Sequence, residues 1–142
     1  MRCIVTGGAG FIGGHLVNGL QNCGHEVLSI DILHREMPDK QGVDVDICDS
    51  QQLQRVFADF QPQVIFHLAG VADARAALID PIRAVHINIT GTTCVLQAAQ
   101  QINATRVVIA SSCWVYNAMH DGPIDENTQF LSAGGGTSIR AR

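Results

Sequence analysis

A glycine-rich stretch near the start of the chain constrains the fold more than any other feature of the sequence. Residues 6–13 read Thr-Gly-Gly-Ala-Gly-Phe-Ile-Gly and follow the short apolar run at residues 3–5. Glycine adopts backbone angles closed to other residues, and its missing side chain lets a ligand approach the main chain. A strand that turns directly into a helix leaves the first amides of that helix unpaired, which favours a bound phosphate. The stretch therefore predicts a strand, a phosphate-binding turn and a helix.

The surroundings of these glycines make the prediction more specific. The glycines that fit one or another form of the pattern G-x-G-x-x-G are Gly7, Gly8, Gly10 and Gly13. The pattern indicates a dinucleotide site only with a strand before it, a helix after it and an acidic residue about 20 residues further on. A second strand is predicted at residues 26–30 and ends at Asp31, so all three conditions are met. A glycine-rich turn that binds no ligand is the alternative interpretation.

Asp31 favours NAD over NADP as the dinucleotide. A carboxylate at this strand end accepts hydrogen bonds from the ribose hydroxyls of the adenosine half and repels the 2'-phosphate of NADP. Arg35 lies close enough in the sequence to accommodate such a phosphate, so the preference for NAD has an open alternative.

The rest of the chain alternates helical and strand patterns. Further strands are predicted at residues 43–46, 63–68 and 105–110. The apolar positions that we expect on the buried sides of the first two helices are Ile12, Leu16 and Leu20, and Leu53, Val56 and Phe57. Asp80 as N-cap and Pro81 at the first helical position predict a helix that runs to about Gln101. Its apolar stripe consists of Ile82, Val85, Ile89, Leu96 and Ala99.

This alternation predicts an α/β fold, a Rossmann-type doubly wound parallel sheet. Right-handed crossovers give the strand order 3-2-1-4-5, and ligands bind at the carboxyl ends of strands 1 and 4, where the order reverses. The glycine stretch follows strand 1, and residues 68–70 follow strand 4. Both segments are therefore expected to line one crevice.

Composition argues against several other classes of protein. The net charge is −4, and Lys and Arg form no cluster, which disfavours a nucleic-acid surface. No apolar run approaches the roughly 20 residues of a membrane helix, and no leader precedes the first strand, so we expect a cytoplasmic protein without a membrane segment. The five cysteines and six histidines are scattered, which predicts free thiols and no metal site. We expect residues 1–130 to form the NAD-binding domain and residues 131–142 to form a flexible glycine-rich tail.

Six blocks of sequence, in order, resemble the extended short-chain dehydrogenase/reductases of the NAD-dependent epimerase/dehydratase family, which includes UDP-glucose 4-epimerase-like enzymes. The blocks are residues 6–13, Asp31, residues 46–47, residues 67–70, Asn88 with residues 91–92, and residues 111–116. The resemblance extends from Met1 to about Glu126.

The resemblance implies a role for residues in each block. It implies that the amides of Phe11 and Ile12 bind the pyrophosphate and that Asp31 binds the ribose. Asp46 and Ile47 would contact the adenine, and Leu68, Ala69 and Gly70 would line the nicotinamide side. Asn88 would brace the site by hydrogen bonding, with an exposed helical Asn as the alternative. Ser112 would be the catalytic hydroxyl, with a Ser that merely ends a strand as the alternative.

The chain departs from the family at the catalytic base. The family uses Tyr-x-x-x-Lys on a later helix, but the only tyrosine here is Tyr116 and the only lysine is Lys40, so the motif cannot form. The positions after Ser112 hold Cys113 and Trp114 where sugar dehydratases carry Asp-Glu, which disfavours dehydratase chemistry. We expect the fold to stop before the family's last strands and its substrate lobe.

Two functional hypotheses follow from this departure. The chain is the cofactor part of a nucleotide-sugar epimerase or reductase, inactive alone, or it is a non-catalytic NAD-binding module that acts through a partner chain. In either case, a missing neighbouring helix would expose the fifth strand and the stripe of the Pro81 helix. We therefore expect association with a second copy or a partner chain.

Overall fold

The computed structural model describes residues 1–32, 42–112, 115–116 and 122–128. The chain divides into two compact units, residues 1–110 and residues 111–142. Arg35 and the predicted flexible tail at 131–142 lie outside the described residues.

A parallel sheet forms the centre of the first unit. Its five strands are β1 (Arg2–Thr6), β2 (Glu26–Asp31), β3 (Gly42–Asp44), β4 (Val64–His67) and β5 (Arg106–Ile109). Their order is β3-β2-β1-β4-β5, and every neighbouring pair is parallel. The predicted fold and strand order are confirmed, so the order reverses between β1 and β4 as expected.

Helices connect the strands. They are α1 (Phe11–Asn22), α2 (Ser50–Phe60), α3 (Ala74–Ile79), α4 (Pro81–Val85), a π-helical segment (His86–Gly91) and α5 (Thr92–Gln101). Asp49 caps α2 by accepting from the amide of Gln52, and Asp80 caps α4 by accepting from the amide of Arg83. Both caps are residue types that satisfy the unpaired amides of a helix start, and the cap at Asp80 was expected from the sequence.

The core lies on both faces of the sheet, because successive side chains of a strand point to opposite sides. Ile4 belongs to a cluster with Leu53 and Phe57 of α2, whereas its neighbours Cys3 and Val5 pack on the other face with Val17 of α1. Val95, Ala98 and Ala99 of α5 join the first cluster. Helices therefore cover both faces of β1 and leave its carboxyl end for the loops that follow. Among the described residues, no helix is long and apolar enough to cross a membrane.

The prediction of the buried face of α1 is wrong for Ile12. Ile12 is 67% exposed, whereas Leu16 and Leu20 are half-buried against the core. The reason is that α1 approaches the sheet through Gly13, Gly14 and Val17, which are its buried residues. Small residues allow this close approach and turn the Ile12 side chain outward.

The helix that begins at Pro81 also differs from its prediction. The π segment widens the helix for one turn, so an apolar stripe extrapolated at 3.6 residues per turn does not stay on one face. Ala99 is buried in the core, whereas Ile82, Val85, Ile89 and Leu96 are exposed. Helix α3 was not expected, although Asp73 caps it by accepting from the amide of Arg75.

The second unit is described only in part. In it, the carboxylate of Asp125 accepts hydrogen bonds from the amide of Asn127 and the hydroxyl of Thr128, at 2.9 and 3.1 Å. These bonds lower the pKa of Asp125, because they favour its charged form.

Candidate functional site

The turn after β1 can be built only from glycine at its first position. Gly7 has a φ of +72°, and a Cβ atom placed there would lie 2.7 Å from the amide nitrogen of Ala69. The amide of Gly7 donates to the carbonyl of Ile30 at 2.8 Å. The turn is therefore held between the ends of β2 and β4, with its main chain open to a ligand.

Helix α1 begins directly after this turn. Gly10 is its N-cap and supplies no side-chain hydrogen bond, so the first amides of the helix, at Phe11 and Ile12, have no capping group in the described structure. A Cβ atom at Gly13 would overlap the carbonyl oxygen of Gly7. Gly13 therefore lets the helix start lie directly on the turn, and this arrangement of free amides suits an anionic phosphate group.

Asp31 stands at the end of β2, next to the glycine turn. Its Oδ2 atom accepts a hydrogen bond from the amide of Ala9 at 3.0 Å. The contact fixes the carboxylate beside the loop that precedes α1. Asp31 is half-buried and lines the cleft described below.

Asp46 and Ile47 follow β3 and form a second wall. Oδ1 of Asp46 accepts from the amide of Cys48 at 2.8 Å, and the Cys48 thiol donates to the carbonyl of His86 at 3.8 Å. Burial, and then the nearby Asp46 carboxylate, raise the pKa of Cys48, so the thiol stays protonated at neutral pH. Ile47 is mostly buried against Gly91, where a Cβ atom would lie 2.5 Å from its Cδ1 atom.

The loop after β4 is tied to the π segment. The Asn88 side chain accepts from the amide of Val71 at 2.8 Å and donates to its carbonyl at 3.1 Å. A Cβ atom at Gly70 would lie 3.0 Å from Oδ1 of Asn88, so a small residue is needed there. Asn88 therefore makes two side-chain hydrogen bonds to the loop after β4, with Val71 as a partner that the sequence did not indicate. Its role in bracing a binding site stays a prediction.

These segments enclose one cleft of about 400 Å³, which is within the range of small-molecule sites. Of the residues expected from the sequence, those that line it are Gly7, Gly10, Asp31, Asp46, Ile47, Leu68, Ala69 and Gly70. The expected residues that are not among the lining residues are Phe11, Ile12, Gly13 and Asn88. The cleft also has wall residues that sequence reasoning missed, namely Ile32, Val45, Cys48, Val71, Arg83, His86 and Ile87.

A buried histidine lies beneath the cleft. His67 ends β4 and is 3% exposed, and its Nδ1 and Nε2 atoms lie 2.7 Å from Oγ1 of Thr6 and 2.9 Å from Oγ1 of Thr92. Burial lowers the pKa of His67, so the ring is neutral at pH 7. The sequence offered a weak signal for this group, namely one histidine at the end of an otherwise apolar strand.

Ser112 belongs to the second unit. It is exposed, and its carbonyl accepts a hydrogen bond from the amide of Val115 at 3.1 Å. Its catalytic role stays a prediction.

The cleft has the chemistry that a dinucleotide requires. A glycine turn, free helix amides and a strand-end carboxylate meet at the point where the strand order reverses. A sequence profile of the NAD dependent epimerase/dehydratase family matches residues 3–134 of the chain. The chain belongs to this family. The predicted resemblance is thus confirmed, and so is NAD as the family's cofactor.

Individual relatives agree with the family match. The chain is 29% identical to UDP-glucose 4-epimerase from Bacillus subtilis (strain 168) over 139 residues, which are 89% of this chain and 41% of the relative. It is similar to the crystal structure of UDP-glucose 4-epimerase from Thermus thermophilus in complex with NAD, with 33% identity and a TM-score of 0.83, covering 93% of this chain and 45% of the other.

A third relative is known from a crystal structure with a nucleotide sugar. This is the Thermotoga maritima UDP-glucose 4-epimerase with UDP-glucose, at 28% identity and a TM-score of 0.77, covering 81% of this chain and 39% of the other. The chain thus spans about 40% of the length of the curated relatives that it matches.

Proposed function

We propose that the cleft binds NAD and that the chain is the cofactor-binding part of a nucleotide-sugar epimerase or reductase. The observation that carries the proposal is the 3.0 Å hydrogen bond from the amide of Ala9 to Asp31, because it joins the strand-end carboxylate to the glycine turn. Ribose and pyrophosphate are adjacent in NAD, and so are the groups suited to bind them here.

Each part of NAD has a matching set of residues. The amides of Phe11 and Ile12 bind the pyrophosphate, and Asp31 accepts from the adenosine ribose. Asp46 accepts from the adenine amino group, since its exposed side chain lines the cleft. Leu68, Ala69 and Gly70 line the nicotinamide side. When bound, NAD supplies hydride transfer, and these residues orient it and shield it from water.

Calorimetric titration of the chain with NAD and with NADP tests this proposal. We expect NAD to bind more tightly than NADP. Asp31→Ala should weaken NAD binding at least tenfold, because a charge-assisted hydrogen bond contributes about 1.5–3 kcal/mol. Asp59→Ala removes an exposed carboxylate from α2 and is the matched control. Absence of NAD binding by the wild-type chain would refute the proposal.

We further propose that the substrate is a nucleotide sugar and that the isolated chain does not turn it over. The support is the sequence, which has a catalytic-type Ser112 but only Tyr116 and Lys40, too far apart for the family's Tyr-x-x-x-Lys base. Incubation with UDP-glucose or UDP-galactose should therefore give no epimerised product. Measurable epimerisation would show that other residues supply the base.

A non-catalytic NAD-binding module that acts through association is the second candidate. The observation that favours it is a group of four exposed apolar side chains on the helix that begins at Pro81, namely Ile82, Val85, Ile89 and Leu96, here called the apolar stripe. Exposed large apolar side chains that are grouped along one helix favour an interaction site. We propose that a second copy of the chain covers the apolar stripe, since identical surfaces pair readily about a two-fold axis.

We also propose that the chain acts in the cytoplasm. The support is its cysteine usage, since Cys3, Cys23, Cys48 and Cys94 are all free thiols in the described residues. Free thiols are typical of reducing compartments.

A further inference from the structure

Three polar side chains form a chain of hydrogen bonds beneath the cleft. Thr6 is fully buried and His67 nearly so, whereas Thr92 is half-buried. The amide of Ala69 donates to Oγ1 of Thr6 at 3.3 Å, and Thr92 donates its hydroxyl proton to the carbonyl of Asn88 at 2.7 Å. Thr6, His67 and Thr92 are here called the relay.

The proton positions in the relay follow from its two ends. A carbonyl oxygen can only accept a hydrogen bond, so the Thr92 hydroxyl must donate its single proton to the Asn88 carbonyl. The Thr92 oxygen must then accept a hydrogen bond from Nε2 of His67. The Nε2 atom of His67 therefore carries the proton. Its bare Nδ1 atom then accepts from the hydroxyl of Thr6, whose oxygen accepts in turn from Ala69. Every group of the relay is satisfied in this one arrangement.

A protonated His67 would break the arrangement. Both ring nitrogens would then donate, and Thr6 would receive a proton from Nδ1 while keeping its own. The Thr6 hydroxyl proton would lose its acceptor in the relay at a fully buried position, which is costly.

The relay joins β1, β4 and α5, and two of these elements lead directly into loops that line the cleft. Thr6 is the last residue of β1 and precedes the glycine turn, His67 is the last residue of β4 and precedes residues 68–70, and Thr92 opens α5 behind the π segment. Gly7 and Ala69 already approach so closely that a Cβ atom does not fit between them. Because the relay connects the strands directly before these two loops, a change in its hydrogen bonds would alter the spacing between the loops.

We propose that His67, as the neutral Nε2–H tautomer, is a positioning residue that sets the distance between the two loops and thereby the affinity for NAD. The inference rests on the proposed function of the cleft. The relay contributes to affinity through preorganisation, since loops held in place before binding need no ordering when the ligand arrives.

Thr92 offers the sharpest test, because its role in the relay can be removed without changing its shape. Thr92→Val leaves Nε2–H of His67 without an acceptor and should weaken NAD binding about tenfold. Thr92→Ser keeps the hydroxyl and should restore the wild-type affinity. Thr93→Val is the matched control, because Thr93 also donates to a carbonyl four residues earlier, that of Ile89 at 2.8 Å, but lies outside the relay.

Nitrogen-15 NMR of the imidazole rings gives an independent readout. In the wild-type chain at pH 7, we expect the shift pattern of the Nε2–H tautomer for His67. An Nδ1–H tautomer or an imidazolium ring would overturn the inference. If Thr92→Val does not fold by circular dichroism, Thr92→Ala replaces it with the same expected loss.

The binding results separate this inference from the proposed function. A wild-type chain that binds no NAD refutes both. A wild-type chain that binds NAD, together with Thr92→Val binding as tightly, refutes only the role of the relay. Equal weakening in Thr92→Val and Thr93→Val would attribute the effect to the helix and would also refute it.

Discussion

Asn88 holds Val71 through both groups of one side-chain amide. Its Oδ1 atom accepts from the Val71 amide at 2.8 Å, and its Nδ2 atom donates to the Val71 carbonyl at 3.1 Å. The main-chain amide and carbonyl of Val71 are thus both hydrogen-bonded, as they would be to a neighbouring β-strand. The loop after β4 is fixed by a residue 17 positions later in the chain, in the middle of a helix.

Replacing Asn88 by Asp tests this contact with almost no change in shape. A carboxylate oxygen then faces the Val71 carbonyl in place of the donating NH₂ group, so one hydrogen bond becomes a repulsion. We expect Asn88→Asp to lower the free energy of unfolding by about 1–2 kcal/mol in urea denaturation. Asn18→Asp, at an exposed position of α1, is the control, and an equal loss in both variants would contradict the role of the contact.

Two glycines of α1 give a matched pair with opposite expected effects. A Cβ atom at Gly13 would overlap the carbonyl of Gly7, whereas a Cβ atom at Gly19 has no neighbour within 4 Å. Gly13→Ala should therefore displace the helix from the turn and abolish NAD binding. Gly19→Ala should leave binding unchanged and stabilise the chain by about 0.5–1 kcal/mol, because alanine loses less backbone entropy in a helix. Thermal unfolding and calorimetric titration of both variants check this pair, and tight NAD binding by Gly13→Ala would contradict it.

The pattern of the sequence predicted the elements that depend on local signals. Asp80 with Pro81 indicated a helix start. The alternation of strands and helices predicted the strand order, because right-handed crossover connections allow only a few sheet topologies. The π segment was not predicted, since an extra residue in one helical turn leaves no periodic signal. Ile12 was placed on the wrong side, because the contact through Gly13 depends on how closely the helix approaches the turn.

The candidate site was predicted unevenly for a similar reason. Asp31 was expected from its spacing to the glycines, and it lines the cleft. The relay was not expected, although Thr6, His67 and Thr92 each lie in one of the family blocks, because the three are far apart in the sequence and no local pattern indicates that their side chains meet. Only the folded sheet brings a strand-end histidine between two hydroxyl groups.

The stability of the chain should depend on pH through His67. Burial holds its pKa below the ordinary value of 6.5, and the residues that face it, Thr6 on β1, Thr92 on α5 and Ile109 on β5, are all uncharged. Below about pH 6.5 the unfolded chain therefore binds a proton that the folded chain does not. The stability contributed by neutral His67 is complete above that pH and is lost as the pH falls through the lowered pKa of the folded state.

Urea denaturation of the wild type and His67→Gln between pH 5 and 7.5 measures this contribution. Glutamine does not titrate, so the variant should show a shallower fall in the free energy of unfolding below about pH 6.5. The comparison uses slopes, and a uniform loss of stability in the variant does not affect it. Parallel pH profiles would show that the proton is taken up elsewhere.

The apolar stripe should determine the oligomeric state. Ile82 and Ile89 are 82% and 62% exposed, and they lie on the same helix as Val85 and Leu96. Light scattering at about 50 μM should give the mass of a dimer or larger assembly for the wild type, because burial of several such side chains favours association. Ile82→Glu combined with Ile89→Glu should give a monomer, since a carboxylate cannot be buried without a partner.

The control for this prediction is Gln97→Glu, which adds a charge to an exposed position of α5 and should leave the assembly intact. A monomeric wild-type chain at this concentration would contradict the pairing of two copies through the stripe.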